Sequence, residues 1–571
     1  MRSRLVPFLV LLTLGLTAGS ALAQPRWPSL DEQLSRDRVP AGSALAKLIA
    51  QNQDLQLLRS DEANDKVGVP PWLRVLWRKS HPEGDYSAAN PTGGYPLAIK
   101  DVYEWMVHHP DLRPGEPAPE GAAEPAKDAS SGADIRISGD EFDPRAESDL
   151  RVNFWDPSRI IASSNNLSSA GLMAIHYSGD GGETWAQSSL PAVAEDTFQS
   201  DPAVDWTSDG TAWAAAIGVV LGGDDLVLRL RTFRSSNGGA SWQADDTASG
   251  EQTGADRQMI WTDHSETSPF KDNVYVIWHN GALIYVNHRA GAGGAWGEPV
   301  RVSGGETVYG IGSDIKTNGA GTVFTFWPDP ALRKIFFSRS TNGGASFSKP
   351  IKIASTFDAF IMPIPAQVRR GAPLYVSSAA FQSGKKNLVY AVWTDLTGAR
   401  GCTSASFEPY GNVESPCKTR IWFTRSTDGG VRWAKPRMLN NQASKNDQFM
   451  PALAVDDTTG GLHLIYFDTI GETRTTVNVW YQSSFDDGLH WSAPLRITSE
   501  PSDGAASLNG FQFGDYNSLS GINGTFFPSW TDRRGDKVRE EIWTAKIVST
   551  KSAACRATEL LDAVSATACT P

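Results

Sequence analysis

The sequence predicts an all-β protein: a seven-bladed β-propeller closed by an N-terminal strand, with a small, mainly helical N-terminal extension. Three observations predict it: a turn phrase that recurs along the chain, short alternating strands between its copies, and a last unit that lacks a fourth strand of its own.

The phrase is Ser-x-Asp/Asn-x-Gly-x-x-Trp/Phe. It begins at Ser178, Ser235, Ser340, Ser426 and Ser484, and it ends at Trp185, Trp242, Phe347, Trp433 and Trp491. A worn sixth copy keeps Gly293 and Trp296. Its chemistry is that of a hairpin turn: Asp or Asn closes the turn, Gly takes positive φ, and the aromatic anchors the returning strand. Repetition at a regular period is the mark of a blade or solenoid architecture. The segments between copies alternate apolar and polar residues, as half-buried strands do.

Inner strands are expected to start near residues 148, 200, 255, 313, 361, 449 and 514, which gives seven units. The seventh has strands at Asp515–Ile522, Thr525–Trp530 and Glu541–Ile547 and then no turn phrase. Asp134-Ile-Arg-Ile-Ser138 matches the fourth-strand phrases Pro299-Val-Arg-Val-Ser303 and Pro350-Ile-Lys-Ile-Ala354. A strand donated from the N-terminal side would complete the last blade and remove the open edge.

The ends of the chain read differently. Met1 to Ala23 has a charged start, an apolar run from Leu5 to Leu16 and an Ala21-Leu22-Ala23 cleavage phrase, the pattern of a secretory signal peptide. The expectation is an exported protein, secreted or periplasmic, with no transmembrane segment. Residues 24–110 read as a helical extension, 111–133 as a Pro/Gly/Glu-rich linker, 134–548 as the propeller and 549–571 as a tail stapled by a disulfide. Export favours disulfides, and the simplest pairing of the four cysteines is Cys402–Cys417 and Cys555–Cys569. A net charge of −12 without a basic run argues against nucleic acid as a partner. Twenty tryptophans fit both aromatic cores and sugar-binding faces.

The turn phrases are Asp boxes, and over residues 134–548 the chain resembles the sialidase-like, BNR-repeat superfamily. That resemblance implies a carbohydrate-active protein and a glycan partner. Its first implied function is an exo-glycosidase of sialidase type acting on a terminal acidic sugar. A polysaccharide lyase and a non-catalytic glycan- or protein-binding propeller are the alternatives. Sialidases use a tyrosine nucleophile. Gly514-Asp515-Tyr516-Asn517-Ser518-Leu519 is similar to the family's tyrosine segment, so the resemblance makes Tyr516 the nucleophile, with Asp515, Asp201 and Asp256 as catalytic carboxylates. Arginines grip the substrate carboxylate in that family. Candidates here are Arg151, Arg257, Arg533 and Arg534, with Trp530 beside the last two. The family's first arginine belongs to an Arg-Ile-Pro phrase, which is Ser148-Asp149-Leu150-Arg151-Val152 in this chain.

Register places Asp149, Asp201, Asp256, Asp314 and Asp515 at the starts of inner strands, where symmetry would gather them in one ring. Asp329, Asp395, Asp468 and Asp532 stand at the ends of second strands. Three readings compete. The carboxylates cap strands and turns; or Asp149, Asp201, Asp256 and Asp314 hold a cation, calcium above all, in a protein that otherwise requires no cofactor; or crowding raises one carboxyl and supplies an acid.

Overall fold

The computed structural model describes residues 129–549 apart from short internal stretches, the longest being 399–416. Seven antiparallel sheets of four main strands succeed one another along the chain. Their inner strands are Arg145–Val152, Phe198–Trp206, Ala255–Thr262, Asp314–Thr317, Val376–Ser383, Gln448–Val455 and Ser518–Ile522, in blades 1 to 7. The last blade is closed by Ala129–Arg136, which pairs antiparallel with Glu541–Ser549, Ile135 opposite Thr544. The propeller is therefore seven-bladed and sealed by its N-terminal strand.

Two boundaries differ from the sequence reading. The closing strand begins at Ala129, inside the stretch read as linker, and crosses a register irregularity between Ser131 and Asp134. The fifth inner strand begins at Val376 rather than near 361. Residues Ile361–Met362 instead pair with Ala372–Pro373 in a small ribbon around a 3₁₀ turn at Pro365–Gln367. Pro363 and Pro365 explain the difference, because proline cannot donate to a central ladder. The helical extension, the signal-peptide reading and the tail with Cys555 and Cys569 lie outside the described residues, as does Cys402. Cys417 is buried and disulfide-bonded. Among the described residues no helix is long and apolar enough to cross a membrane.

Each Asp box is a small hydrogen-bonded cage. In blade 1, Ser178 Oγ accepts the Gly182 N–H (2.9 Å), Asp180 accepts the Thr184 N–H (2.9 Å), and Trp185 Nε1 donates to the Gly182 carbonyl (3.1 Å). The Ser-to-Gly bond recurs at Ser235, Ser340, Ser426 and Ser484. The second glycine of the box is needed twice over. Its φ is positive, 86° at Gly182 and 95° at Gly239. It also touches the preceding blade: a Cβ on Gly182 would lie 2.6 Å from Phe527, and one on Gly430 2.1 Å from Phe337. The box thus welds neighbouring blades together. In blade 3, where the box is worn, Arg289 takes over by donating to the carbonyls of Gly291 (3.0 Å) and Ala292 (2.9 Å).

The cores sit between blades. Trp206, Ala214 and Phe233 of blade 2 pack with Ile161 and Ile175 of blade 1, and Trp213 of blade 2 packs with Val276 and Trp278 of blade 3. Around the channel, a polar side chain of one inner strand accepts a backbone N–H from the next. Ser518 takes Leu150, Asp149 takes Val204 (2.9 Å), Asp205 takes Thr262, Asp314 takes Ser378 and Ser377 takes Leu453. These bonds satisfy donors that lack a strand partner on the channel side.

Candidate functional site

Four inner strands carry a bulge at matching places. Pairing breaks between Ala146 and Asp149, Ser200 and Ala203, Asp256 and Met259, and Phe449 and Ala452. The first bulged residue is left-handed in each: Glu147 (φ 60°), Asp201 (52°), Arg257 (49°) and Met450 (50°). Such φ values are uncommon outside glycine and cluster at functional sites. Bulges also re-aim side chains near active sites.

Three of these residues join one polar cluster at the channel. Arg370, from the segment between blades 4 and 5, makes a bidentate pair with Asp515 (Nη2–Oδ2 2.7 Å) and reaches Glu147 (2.8 Å). Asn165 holds the other Glu147 oxygen (2.5 Å), and its own carbonyl oxygen accepts the Asp201 N–H (2.8 Å). Gly514 makes room, since a Cβ there would lie 2.3 Å from Glu147 Cγ. The Arg257 guanidinium is sandwiched between two rings, 3.9 Å from the Tyr516 centroid and 4.6 Å from that of Tyr375. Its backbone N–H donates to Asp256 (2.7 Å). The Tyr375 hydroxyl approaches Asp515 at 3.5 Å. Arg257, Tyr375, Tyr516 and Asp515 line a central cavity of about 80 Å³.

The electrostatics follow from crowding. Burial pushes Glu147 well above the usual glutamate range, and Asp515 and Asp201 add to the rise against the pull of Arg370. Burial also raises Asp201, and Asp256 adds repulsion. Asp256 is raised by burial, with Asp515 adding. The Tyr516 phenol is held well above 10, first by burial and then by Asp201 and Glu147. In a cluster of this kind carboxyls hold their protons more tightly than they would in water.

The expected five-membered ring divides. Asp201, Asp256 and Asp515 belong to the cluster just described. Asp149 and Asp314 sit with other partners, Asp149 with Arg151 (2.9 Å) and Asp314 with Lys316 (2.7 Å), while each also clips the next blade. The bulge is the reason: residues that look equivalent in sequence fall at different steps of the ladder. Arg151 is thereby spent on Asp149. The proposed calcium set of Asp149, Asp201, Asp256 and Asp314 is split between these two neighbourhoods, and among the described residues no group of three or more His, Cys, Asp or Glu is placed to hold a metal.

The other candidates lie elsewhere. Trp530 is wholly buried and donates to Asp532 (2.9 Å). Arg534 pairs with Asp532 (2.6 Å) and with Asp134 of the closing strand, stacked 4.1 Å over Trp543. It is a clasp for the closed ring. Arg533 is half-buried, and its N–H donates to Ser502 (2.7 Å). None of these three lines the cavity. The second-strand carboxylates Asp329, Asp395 and Asp468 cap loops, Asp395 accepting the Phe357 and Asp358 N–H groups, with burial pushing its carboxyl up to about 7.

Sequence reasoning missed Glu147, Arg370 and Tyr375. Glu147 stands two residues before the expected aspartate, and the other two come from outside the repeat. A signal was present in the long stretch between the fourth strand of blade 4 and the Val376 strand, too long for a plain blade-to-blade turn.

No family model matches the chain, and no curated protein does. Solved structures of similar shape include a protein of unknown function from Dyadobacter fermentans, 12% identical, with 74% of this chain and 100% of that one covered at a TM-score of 0.41. An α-L-arabinofuranosidase from Fusarium graminearum is 12% identical over 61% of this chain and 92% of that one, TM-score 0.39. An intramolecular trans-sialidase from Ruminococcus gnavus is 11% identical over 64% and 97%, TM-score 0.39. At such values the likeness bears on shape and not on activity, and the chemistry rests on this chain's own residues.

Proposed function

We propose that this exported propeller hydrolyses a terminal glycosidic bond of a glycan at the Glu147–Asp201–Asp256–Asp515 cluster. The observation that carries the reading is the crowding of Glu147, Asp201, Asp256 and Asp515 beside Tyr516 and Arg257, of which Asp515, Tyr516 and Arg257 line the cavity. Glycoside hydrolysis needs one carboxyl that keeps its proton to protonate the leaving oxygen and another that is ionised. Asp201 and Asp256, raised by burial and by their neighbours, fit the first role. Asp515, held by Arg370, fits the second.

In the sialidase-type variant, Tyr516 attacks the anomeric carbon. Its hydroxyl makes no hydrogen bond among the described residues, so it is open to a ligand. A phenol held above 10 attacks only as its proton passes to a carboxylate, a role for Glu147 beside it, while the glycosidic C–O bond breaks and Asp256 gives its proton to the leaving oxygen. Among the described arginines of the cavity and cluster, Arg151, Arg257 and Arg370, the acidic sugar that the resemblance implies would find Arg257 not already paired with a carboxylate.

A non-catalytic glycan binder is the second reading. It is favoured by the Tyr375–Arg257–Tyr516 sandwich, which fixes two aromatic rings as a ready platform. The test is a panel of fluorogenic glycosides and a glycan array, run on wild type, Tyr516→Phe, Asp201→Asn and Asp256→Asn. Hydrolysis that collapses in Tyr516→Phe with the fold intact supports the tyrosine route. Full activity in Tyr516→Phe removes the nucleophile assignment. Array binding without hydrolysis of any glycoside replaces the enzyme by the binder.

A further inference from the structure

We infer that the channel below the carboxylate cluster binds a small monovalent anion of the chloride class, seated between Arg151 and Lys316 beside Trp261. The inference goes beyond the glycosidase reading and does not need it.

The central cavity does not end at Arg257, Tyr375 and Asp515. It continues along the inner strands to Arg151 of blade 1, Trp261 of blade 3 and Lys316 of blade 4. Trp261 stands four residues beyond Arg257 on the strand Ala255–Thr262, on the order of 10 Å further along the channel. Two cations line this lower part, and both are buried: Arg151 is 5% exposed and Lys316 7%. They stand over the same ring, the guanidinium 5.8 Å and the ammonium 4.6 Å from the Trp261 centroid. They also repel each other. Burial pulls the Lys316 ammonium below its ordinary value, and Arg151 adds to the fall against the hold of Asp314.

Each cation has a carboxylate, yet neither has all its donors used. Asp149 places one oxygen 2.9 Å from Arg151 Nη1, and its other oxygen accepts the Val204 N–H. Asp314 accepts from Lys316 (2.7 Å) and the Ile315 N–H on one oxygen and from Ser378 on the other. Both carboxylates are thus engaged with a cation and with a strand. The Arg151 charge is spent on Asp149, and Nη1 donates to the Leu150 carbonyl (2.8 Å). Its Nε is buried with no hydrogen-bond partner among the described residues. Lys316 carries three donors and has two acceptors among the described residues, Asp314 and the Ile315 carbonyl (2.9 Å). A buried donor left unmade is costly, more so on a charged group. One acceptor between the two side chains would take both spare donors, and a negative charge there would offset their repulsion. Phe154, Met259 and Trp261 also line this part of the cavity. Such apolar walls offer little to a strongly hydrated oxyanion, phosphate or sulfate, and suit a weakly hydrated halide.

Thermal melting of the full-length protein, with gluconate exchanged for chloride at fixed ionic strength, is the first test. Tm should rise along a saturating curve, by about 3 °C at a hundredfold excess over Kd for a propeller of roughly 400 residues. Bromide should reproduce the rise, and crystals soaked in bromide should show an anomalous peak between Arg151 and Lys316. Lys316→Met keeps an apolar chain beside Trp261 and removes the ammonium, so the chloride-dependent rise should disappear. Where that variant fails to fold, the wild-type bromide peak decides. A Tm indifferent to chloride, or one that climbs without saturating, overturns the inference. So does a bromide peak found only elsewhere, at Arg257 included. A saturating response to phosphate or sulfate but not to chloride overturns it as well and makes the site one for an oxyanion. Neither readout involves hydrolysis, so failure of the glycosidase reading and failure of this inference are told apart.

Discussion

Replacing Arg370 by methionine tests whether the carboxylate cluster is held together by charge. Arg370 lies 2.8 Å from Glu147 Oε1 and 2.7 Å from Asp515 Oδ2, and the two carboxylate side chains are 1% and 11% exposed. Methionine keeps apolar contact with Phe511, over which the guanidinium now stacks at 4.8 Å. Removing one partner of a buried pair costs about 3–5 kcal/mol, because the remaining charge is left without compensation. Here the carboxyls can escape the cost by taking up protons. Glu147 is raised above its ordinary value in the folded protein, chiefly by burial, and Arg370 opposes that rise. A raised carboxyl binds more protons folded than unfolded. Its contribution is therefore fully present below the ordinary value and is lost as pH climbs through the folded one, by up to about 1.4 kcal/mol per pH unit. Without Arg370 that window extends upward. The variant's deficit should be small at pH 5 and reach about 3–5 kcal/mol at pH 8. For a propeller of roughly 400 residues, with about 2 cal/mol/K of unfolding entropy per residue, that is a fall in Tm of about 4–6 °C. Calorimetry of both proteins at pH 5 and pH 8 reads it. A deficit equal at the two pH values, or larger at pH 5, refutes the argument.

Other consequences follow from the same geometry. Arg534→Ala should lower stability by about 3–5 kcal/mol, since it strands Asp532 and Asp134, which are 0% and 5% exposed. Asp134→Ala should cost less than additively in the Arg534→Ala background, and thermal melts of the double-mutant cycle check this. In the Asp box of blade 1, hydrogen bonds from the Thr184 hydroxyl and N–H and from Ser178 hold Asp180 at about 2. A depressed carboxylate stabilises above its ordinary value and loses that contribution as pH falls through the folded one. Asp180→Asn, the residue natural to the boxes at Asn237 and Asn342, should therefore flatten the acid limb of a stability profile between about pH 4 and 2. Non-reducing peptide mapping should find Cys402 joined to Cys417 and Cys555 to Cys569, and crossed pairs would break both assignments.

Blade architecture was legible because its signals are local. An Asp box closes on itself within eight residues, as the Ser178–Gly182 and Trp185–Gly182 bonds show. The closing strand was legible because Asp134–Ser138 repeats a phrase from other blades. The site was not, and the bulges are the physical reason. Asp149 lies two residues beyond the left-handed Glu147, Asp201 is itself the left-handed residue, and Asp256 precedes the left-handed Arg257. Three aspartates that occupy one place in a linear reading thus take three places on the ladder. Arg370 and Tyr375 were beyond reach for another reason. They come from a segment outside the repeat, and only tertiary packing brings them to Asp515 and Arg257.

The bulge also separates two duties along each inner strand. A regular strand at the channel wall must satisfy its own inward N–H groups, and here a side chain of the preceding blade does so: Ser518 for Leu150, Asp149 for Val204, Ser377 for Leu453. In three of the four bulged strands the accepted donor stands three residues after the left-handed position, at Leu150, Val204 and Leu453, counted from Glu147, Asp201 and Met450; in the strand of Arg257 it is Thr262, five residues on. The clip position therefore tolerates only residues that can accept a backbone N–H, and it stays neutral where that residue is serine. Where it is aspartate, a basic side chain stands beside it: Arg151 and Lys316, each two residues on, for Asp149 and Asp314, and His264 of the next blade for Asp205. The left-handed position carries no such duty and is chemically free: it is Glu, Asp, Arg and Met in the four bulged blades. Substitution at the clips should accordingly register in stability, and substitution at Asp201 or Arg257 in ligand chemistry, while Glu147, paired with Arg370, should register in both. Variation of the site is thereby uncoupled from closure of the ring.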